Sequence, residues 1–204
     1  MTSVFNEYVF PRFQANTIFK PNMNGLNDPT LKNFSLLNSS VLMKSELKDK
    51  KFEDEFIESF MHAAKTLAAV EQRERDLSLN YVFHSYSYAI PVLYLTRHCM
   101  ELSIKRALSL CGLKPPKKHG LQDLWNCLLS NFPKQNRNAK DSHIFMNMST
   151  FVNQISEIDS NGISLRYSKD SQGNLTQDKA LFVNDLKAVS YLEKFVKQLE
   201  SLNF

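Results

Sequence analysis

The chain has 204 residues and a formal net charge of +4, and 43% of its residues are hydrophobic. This length suits one hydrophobic core, so we expect one domain with an N-terminal extension. Five glycines and seven prolines against 15 phenylalanines argue against a turn-rich β-sandwich and predict a helical, aromatic-rich interior. The mild positive charge is compatible with a nucleic-acid partner but does not require one.

No part of the sequence predicts a membrane partner or export. No stretch reaches the roughly 18 apolar residues of a membrane span, and the N-terminus lacks the architecture of a signal peptide. The three cysteines, Cys99, Cys111 and Cys127, show neither CxxC spacing nor a histidine partner, and we interpret them as reduced core residues. These features predict a soluble, cytoplasmic protein.

Residues 1–50 are rich in aromatic side chains and interrupted by prolines. Because disordered segments are poor in aromatic residues, we expect this extension to pack on a helical domain spanning residues 51–204. The first helix of that domain is predicted from Phe52 to about Asp76, because apolar residues recur there at intervals of three and four. Its buried face is predicted to carry Phe56, Phe60, Ala63, Leu67 and Val70. Its polar residues, Glu71 among them, are expected to face solvent.

The central element is the helix predicted from Ile90 to Gly112. On a helical wheel Arg97 falls in the middle of the apolar arc, with Glu101 one turn on and His98 and Lys105 at the edge. A buried guanidinium is costly unless it is paired. The sequence therefore leaves two readings of Arg97 and Glu101, a structural ion pair or the floor of a site.

The rest of the chain adds three helices and a small hairpin. A third helix opens after His119, and a fourth runs from Ile144 to Ile158 with clean helical spacing. Residues 163–167 are strand-like between two turns, which predicts a β-hairpin, and the last helix begins at Asn184 or Asp185. We therefore predict an all-α fold, an antiparallel helical bundle with a small β-hairpin before its last helix.

Three runs within residues 90–200, YLTRHCMELSIKRAL, HGLQDLW and EIDSNGISLRY, resemble bacterial proteins of the HEPN-like superfamily. The recurring elements are an RHxxEL helix, a helix opening with His-Gly/Asp-Leu, and an aspartate followed by a turn and (F/L)RY. The matching residues are Arg97, His98, Glu101, Leu102, His119, Leu121, Trp125, Asp159, Arg166 and Tyr167. The resemblance implies a helical, often dimeric protein. Many members are metal-independent ribonucleases of toxin, phage-defence or RNA-processing systems, and others are non-catalytic binding modules.

Active members of that superfamily carry an arginine, a polar residue and then a histidine four to six residues after the arginine. The run RNAKDSH, with Arg137, Asn138 and His143, fits this pattern. The central helix has no second histidine at the required distance from Arg97, so catalysis at Arg97 needs a histidine from another segment, and His119 is the best candidate.

RNA cleavage without a metal needs a base for the 2′-hydroxyl proton, a cation for the developing charge and an acid for the leaving oxygen. The candidate catalytic residues are Arg97, His98, Glu101, His119, Arg137 and His143. The candidate RNA-binding residues are Lys105, Lys117, Lys118, Arg166 and Tyr167. In the alternative reading, Arg97 and Glu101 only tie the hairpin to the bundle through Tyr167 or Asp159.

Other site chemistries find no motif in this chain. There is no HExxH, P-loop, GxGxxG or nucleophile elbow, and the acidic residues do not cluster as a magnesium site requires, so no metal or cofactor is expected. The resemblance to the HEPN-like superfamily implies a homodimeric endoribonuclease acting on RNA, with an antitoxin or other defence-system partner. The alternative is a non-catalytic module that regulates a partner protein or binds a nucleotide.

Overall fold

A computed structural model describes residues 48–77, 87–131, 143–177 and 182–201. Within these ranges, side chains are described from residue 53 onward. Most of the predicted N-terminal extension, residues 1–47, lies outside this part. The described residues form five α-helices: α1 Lys48–Leu77, α2 Ala89–Leu110, α3 Leu121–Ser130, α4 His143–Ile158 and α5 Asp185–Glu200. The predicted all-α bundle is confirmed. None of these helices is both long and apolar enough to cross a bilayer.

Helices α1, α2 and α5 pack side by side, and α1 runs antiparallel to the other two. Two ion pairs join α1 to α5, Lys65 with Glu193 at 2.6 Å and Arg75 with Asp185 at 2.7 Å. The start of α1 contacts the end of α2 through the ion pair of Asp54 and Arg106. The result is that α2 is covered on most sides, and even Thr96 and Ser103 in its middle are buried.

Helices α3 and α4 close the other side of the core around Trp125. Its ring packs on Phe145 of α4 at 6.0 Å and on Phe195 of α5 at 5.6 Å between centroids. Its indole N–H donates to Ser149 Oγ at 2.9 Å, which satisfies the one polar atom of a fully buried side chain. Trp125 is therefore a core residue.

The ends of the helices follow from local sequence signals. Pro91 lies in the first turn of α2, where a missing backbone N–H costs nothing. Gly112, with φ of +75°, ends that helix, and the next amide donates back to Leu108 O at 3.0 Å. Asn184 caps α5 because its side-chain oxygen accepts the amide of Lys187 at 2.9 Å.

The buried face of α1 differs from the predicted one. Ile57, Ala64 and Ala68 are buried, whereas Phe56 and Val70 are more than a third exposed. The reason is that α1 packs against two helices, α2 and α5, and small residues allow that close approach. Glu71, predicted to face solvent, is buried on the same face, so that expectation was wrong.

The predicted hairpin is not present among the described residues. Residues 164–166 form a turn, in which the amides of Arg166 and Tyr167 donate to Ile163 O at 3.0 and 3.1 Å. Only an isolated antiparallel bridge, between Lys169 and Leu175, follows in this part of the chain. The strand prediction rested on the alternation of apolar and polar residues over five positions. A loop that is anchored at both ends can show the same alternation.

Candidate functional site

Arg97 lies at the middle of α2 and only 3% of it is exposed to solvent. Its guanidinium bonds to three separate segments. Nη1 donates to Glu101 Oε2 at 3.0 Å, Nε donates to the backbone carbonyl of Asp159 at 2.9 Å, and Nη2 donates to the backbone carbonyl of His119. One side chain thus ties α2 to the loop before α3 and to the turn after α4.

The turn after α4 is built against the guanidinium of Arg97. Asp159 is fully buried, and its Oδ1 accepts the amide of Ser164 at 3.0 Å, which fixes the turn. Its Oδ2 lies 3.4 Å from Arg97 Nε and forms an ion pair with the guanidinium. The hydrogen bond of that Nε goes to the backbone carbonyl of Asp159. Gly162, with φ of +80°, lies so close that a Cβ there would be 3.0 Å from Arg97 Nη1.

Glu101 connects Arg97 to the surface. One carboxylate oxygen accepts from Arg97, and the other lies 2.6 Å from Lys105 Nζ and 2.8 Å from His119 Nδ1. Burial by itself raises the pKa of Glu101. The hydrogen bonds from Lys105, His119 and Arg97 and the charge of Lys105 outweigh that effect and hold the pKa below its ordinary value. Glu101 is therefore an ionised acceptor.

His119 joins the cluster through both its backbone and its side chain. Its carbonyl oxygen is held by Arg97, and its Nδ1 is held by Glu101. The side chain is nevertheless 63% exposed. A carboxylate that accepts from Nδ1 of a neutral imidazole fixes the tautomer and leaves Nε2 unprotonated. This is the arrangement of a histidine prepared to take or give a proton at the surface.

His98 occupies a different environment from His119. Its ring makes an edge contact with Phe60 at 4.6 Å and stacks on Tyr94 at 5.9 Å. Burial lowers the pKa of His98 below its ordinary value, the nearby Glu101 charge opposes this, and the charges of Arg97, Lys105 and Arg166 reinforce it. A neutral ring packed between two aromatic residues is first of all a packing residue.

The predicted RNA-binding residues lie on the surface around this cluster. Lys117 and Lys118 are exposed in the loop before α3, and Arg166 and Tyr167 are exposed at the end of the turn after Gly162. The Arg166 guanidinium lies 5.8 Å from the Tyr167 ring centroid and its Nε donates to the carbonyl of Gly162. Lys105 is partly exposed and held by Glu101.

The second predicted motif is only partly described. Arg137 lies outside the described residues, and His143 is the exposed first residue of α4. The structure therefore brings together Arg97, Glu101, Lys105 and His119, whereas His98 is a partly buried packing residue on the same helix. The pairing of Arg137 with His143 stays a prediction.

Sequence reasoning missed several parts of this arrangement. The two carbonyls that accept from Arg97 carry no side-chain signal, and nothing in the sequence shows that Gly162 packs against the guanidinium. A second buried cluster was missed altogether: Arg75 bonds to Glu71 at 2.9 Å and to Asp185 at 2.7 Å, and the amide of Tyr88 donates to Glu71. The available signal was the spacing of four between Glu71 and Arg75.

Two general properties of the described residues bear on chemistry. No three histidine, cysteine or acidic side chains in this part of the chain are grouped to hold a metal ion. All three cysteines are free thiols, and burial raises the pKa of Cys99 to about 12.

Comparison with known proteins supplies no independent identification. No family model matches the chain, and neither a curated protein nor a solved structure matches it significantly.

Proposed function

We propose that the chain is an RNA-acting HEPN-like protein, a metal-independent endoribonuclease in which His119 transfers the proton. The observation that carries the proposal is the bond of 2.8 Å between Glu101 and Nδ1 of an exposed histidine. Histidine is the side chain that changes protonation near neutral pH, and an oriented imidazole meets the requirement for a base and, in turn, an acid.

The roles of the other residues follow from what they touch. Arg97 has its donors directed at protein atoms, so it is a positioning residue that holds Glu101 and the backbone of His119. Lys105 binds the same oxygen of Glu101 as the His119 ring, so it supplies a positive charge beside that ring. Lys117, Lys118 and Arg166 are exposed cations suited to phosphate, and Tyr167 is an exposed ring suited to a base.

The resemblance to the HEPN-like superfamily supports the wider proposal. It implies a cytoplasmic bacterial toxin or phage-defence protein acting as a homodimer, with RNA as substrate and an antitoxin or defence protein as partner. A two-fold dimer places two copies of His119 at one cleft if the loop before α3 lies at the interface. Sedimentation of the full chain tests the dimer directly.

A second candidate function is a non-catalytic interaction or nucleotide-binding module. The observation that favours it is the burial of Arg97, since a guanidinium that is 3% exposed has no face left for a phosphate. In this reading the bond of Glu101 to His119 serves only to fix the loop before α3.

The experiment is cleavage of labelled single-stranded RNA and tRNA in the presence of EDTA. The variants are His119→Ala and His143→Ala, with His62→Ala as the matched control because His62 is an exposed histidine in the middle of α1. We expect cleavage by the wild type, by His62→Ala and by His143→Ala, and a loss of about 10²–10⁴-fold for folded His119→Ala. Absence of cleavage by the wild type on every RNA tested, or full activity of His119→Ala, contradicts the proposal.

A further inference from the structure

A groove lies between α4 and α5. It encloses about 790 Å³ and is lined on the α4 side by Ile144, Asn147, Met148, Thr150, Phe151 and Gln154. The α5 side contributes Lys187, Tyr191, Lys194, Phe195 and Gln198. None of these residues belongs to the Arg97 cluster.

The floor of the groove is apolar and its rim is polar. The ring of Phe151 lies 5.8 Å from Tyr191 and 6.2 Å from Phe195, so the two helices meet there through aromatic side chains. Above this floor Ile144 is 51% exposed and Tyr191 is 42% exposed. Exposed apolar surface between two helices, bordered by amides, is typical of a docking site for a third helix.

The charge of the groove is of one sign. Lys187 and Lys194 both stand over the Tyr191 ring, each with its ammonium 5.9 Å from the ring centroid. None of the described lining residues is acidic. An occupant must therefore bring negative charge to the α5 rim as well as apolar side chains to the floor.

These observations distinguish between classes of occupant. A second copy of this groove would bring lysines against lysines. A nucleobase would have to stack on Tyr191, but two ammonium groups already lie over that ring. Both helices satisfy their backbone internally, so neither offers an edge for an added strand. An amphipathic helix with an acidic border meets each requirement.

We propose that the groove between α4 and α5 binds an amphipathic α-helix of a partner protein, with apolar side chains on the Phe151–Phe195 floor and Asp or Glu side chains paired with Lys187 and Lys194. This binding does not depend on RNA cleavage or on His119. Tyr191 is the anchor, because it combines exposed ring surface with a central position between the two lysines.

The test is a selection of displayed helical peptides against the full chain. Apolar residues are fixed at helical spacing on one face, and the bordering positions are varied among Asp, Glu, Lys, Ser and Gln. We expect the enriched peptides to carry Asp or Glu at the border. A synthetic peptide of the enriched sequence is then titrated against the wild type, K187E/K194E, Y191A and K197E, each shown by thermal melting to be folded.

Lys197 provides the matched control, since it is exposed on the same helix but does not line the groove. The expected result is a loss of affinity of about tenfold or more for K187E/K194E and for Y191A, and little change for K197E. A peptide with its acidic residues replaced by lysine should prefer K187E/K194E to the wild type.

Three outcomes overturn the proposal. The first is no enrichment, or enrichment without acidic residues. The second is binding that K187E/K194E and Y191A leave unchanged. The third is dissociation of a dimer of this chain by Y191A, or loss of RNA binding without loss of peptide binding in K187E/K194E, either of which assigns the groove to a different occupant.

Discussion

Gly162→Ala tests whether the turn after α4 is packed against Arg97. Two separate costs are expected. Gly162 has φ of +80°, and a residue with a Cβ loses about 1–2 kcal/mol in that left-handed conformation. The new Cβ would also lie 3.0, 3.1 and 3.2 Å from the Nη1, Cζ and Nη2 atoms of Arg97.

The guanidinium cannot move away from that Cβ without breaking bonds to Glu101, Asp159 or His119. Forcing an extra carbon into a packed site of this kind costs about 1–3 kcal/mol. We therefore expect Gly162→Ala to lower the free energy of unfolding by about 2–5 kcal/mol in total.

Gly173 provides the matched control. Its φ is +85°, but nothing lies within 4 Å of a Cβ built there. Gly173→Ala should therefore cost only the conformational part, about 1–2 kcal/mol. In a protein that already carries Arg97→Met, Gly162→Ala should lower the free energy of unfolding by less than it does in the wild type. The reason is that the guanidinium no longer lies in the way of the new Cβ.

The assay is urea unfolding followed by far-UV circular dichroism, with the slope of the transition checked for each variant. Destabilisation of Gly162→Ala and Gly173→Ala by amounts equal to within about 0.5 kcal/mol would refute the packing of Gly162 on the guanidinium.

Three further predictions concern the buried charges and a helix cap. Arg97→Met and Glu101→Met should each destabilise the fold by about 3–5 kcal/mol, because the remaining partner stays buried, and the double variant by less than the sum. Additive urea-unfolding values would contradict this coupling. Burial raises the pKa of Asp185, Arg75 opposes that rise and Glu71 adds to it. Without Arg75 that pKa should rise further. A carboxyl with a raised folded-state pKa loses stability as pH rises, so the deficit in melting temperature of Arg75→Ala should shrink as the pH falls from neutral toward the ordinary carboxyl range. Arg73→Ala, an exposed neighbour, is the control, and a deficit that does not change with pH rejects the explanation. Asn184→Ala should cost about 1 kcal/mol through the lost cap of α5, whereas Asn153→Ala, on the exposed face of α4, should not destabilise; equal losses would mean that the cap does not contribute.

The placement of Arg97 and Glu101 was predictable because it depends on helix geometry alone. A wheel drawn through α2 puts Arg97 in the apolar arc and Glu101 one turn away, and the structure shows the bond at 3.0 Å. The buried face of α3 follows from the same periodicity, with Leu121, Leu124, Trp125 and Leu128 fully enclosed.

The partners of Arg97 outside α2 were not predictable in this way. The carbonyls of His119 and Asp159 come from loops whose direction is set by tertiary contacts, and a backbone acceptor has no sequence signature. The turn at residues 164–166 replaced the predicted strand because Asp159 Oδ1 captures the amide of Ser164. Glu71 was assigned to solvent because the sequence did not show that Arg75, Ser87 and the Tyr88 amide would surround it.

The state of the His119 ring tests most directly whether Arg97 and Glu101 hold an exposed histidine with Nε2 unprotonated. Long-range ¹H–¹⁵N correlation spectra of the full chain, with His119→Ala for assignment, report which ring nitrogen carries the proton in the neutral form. We expect a proton on Nδ1 of His119 in the wild type and loss of that preference in Glu101→Leu. A neutral His119 protonated on Nε2, or spectra that Glu101→Leu leaves unchanged, would contradict this expectation.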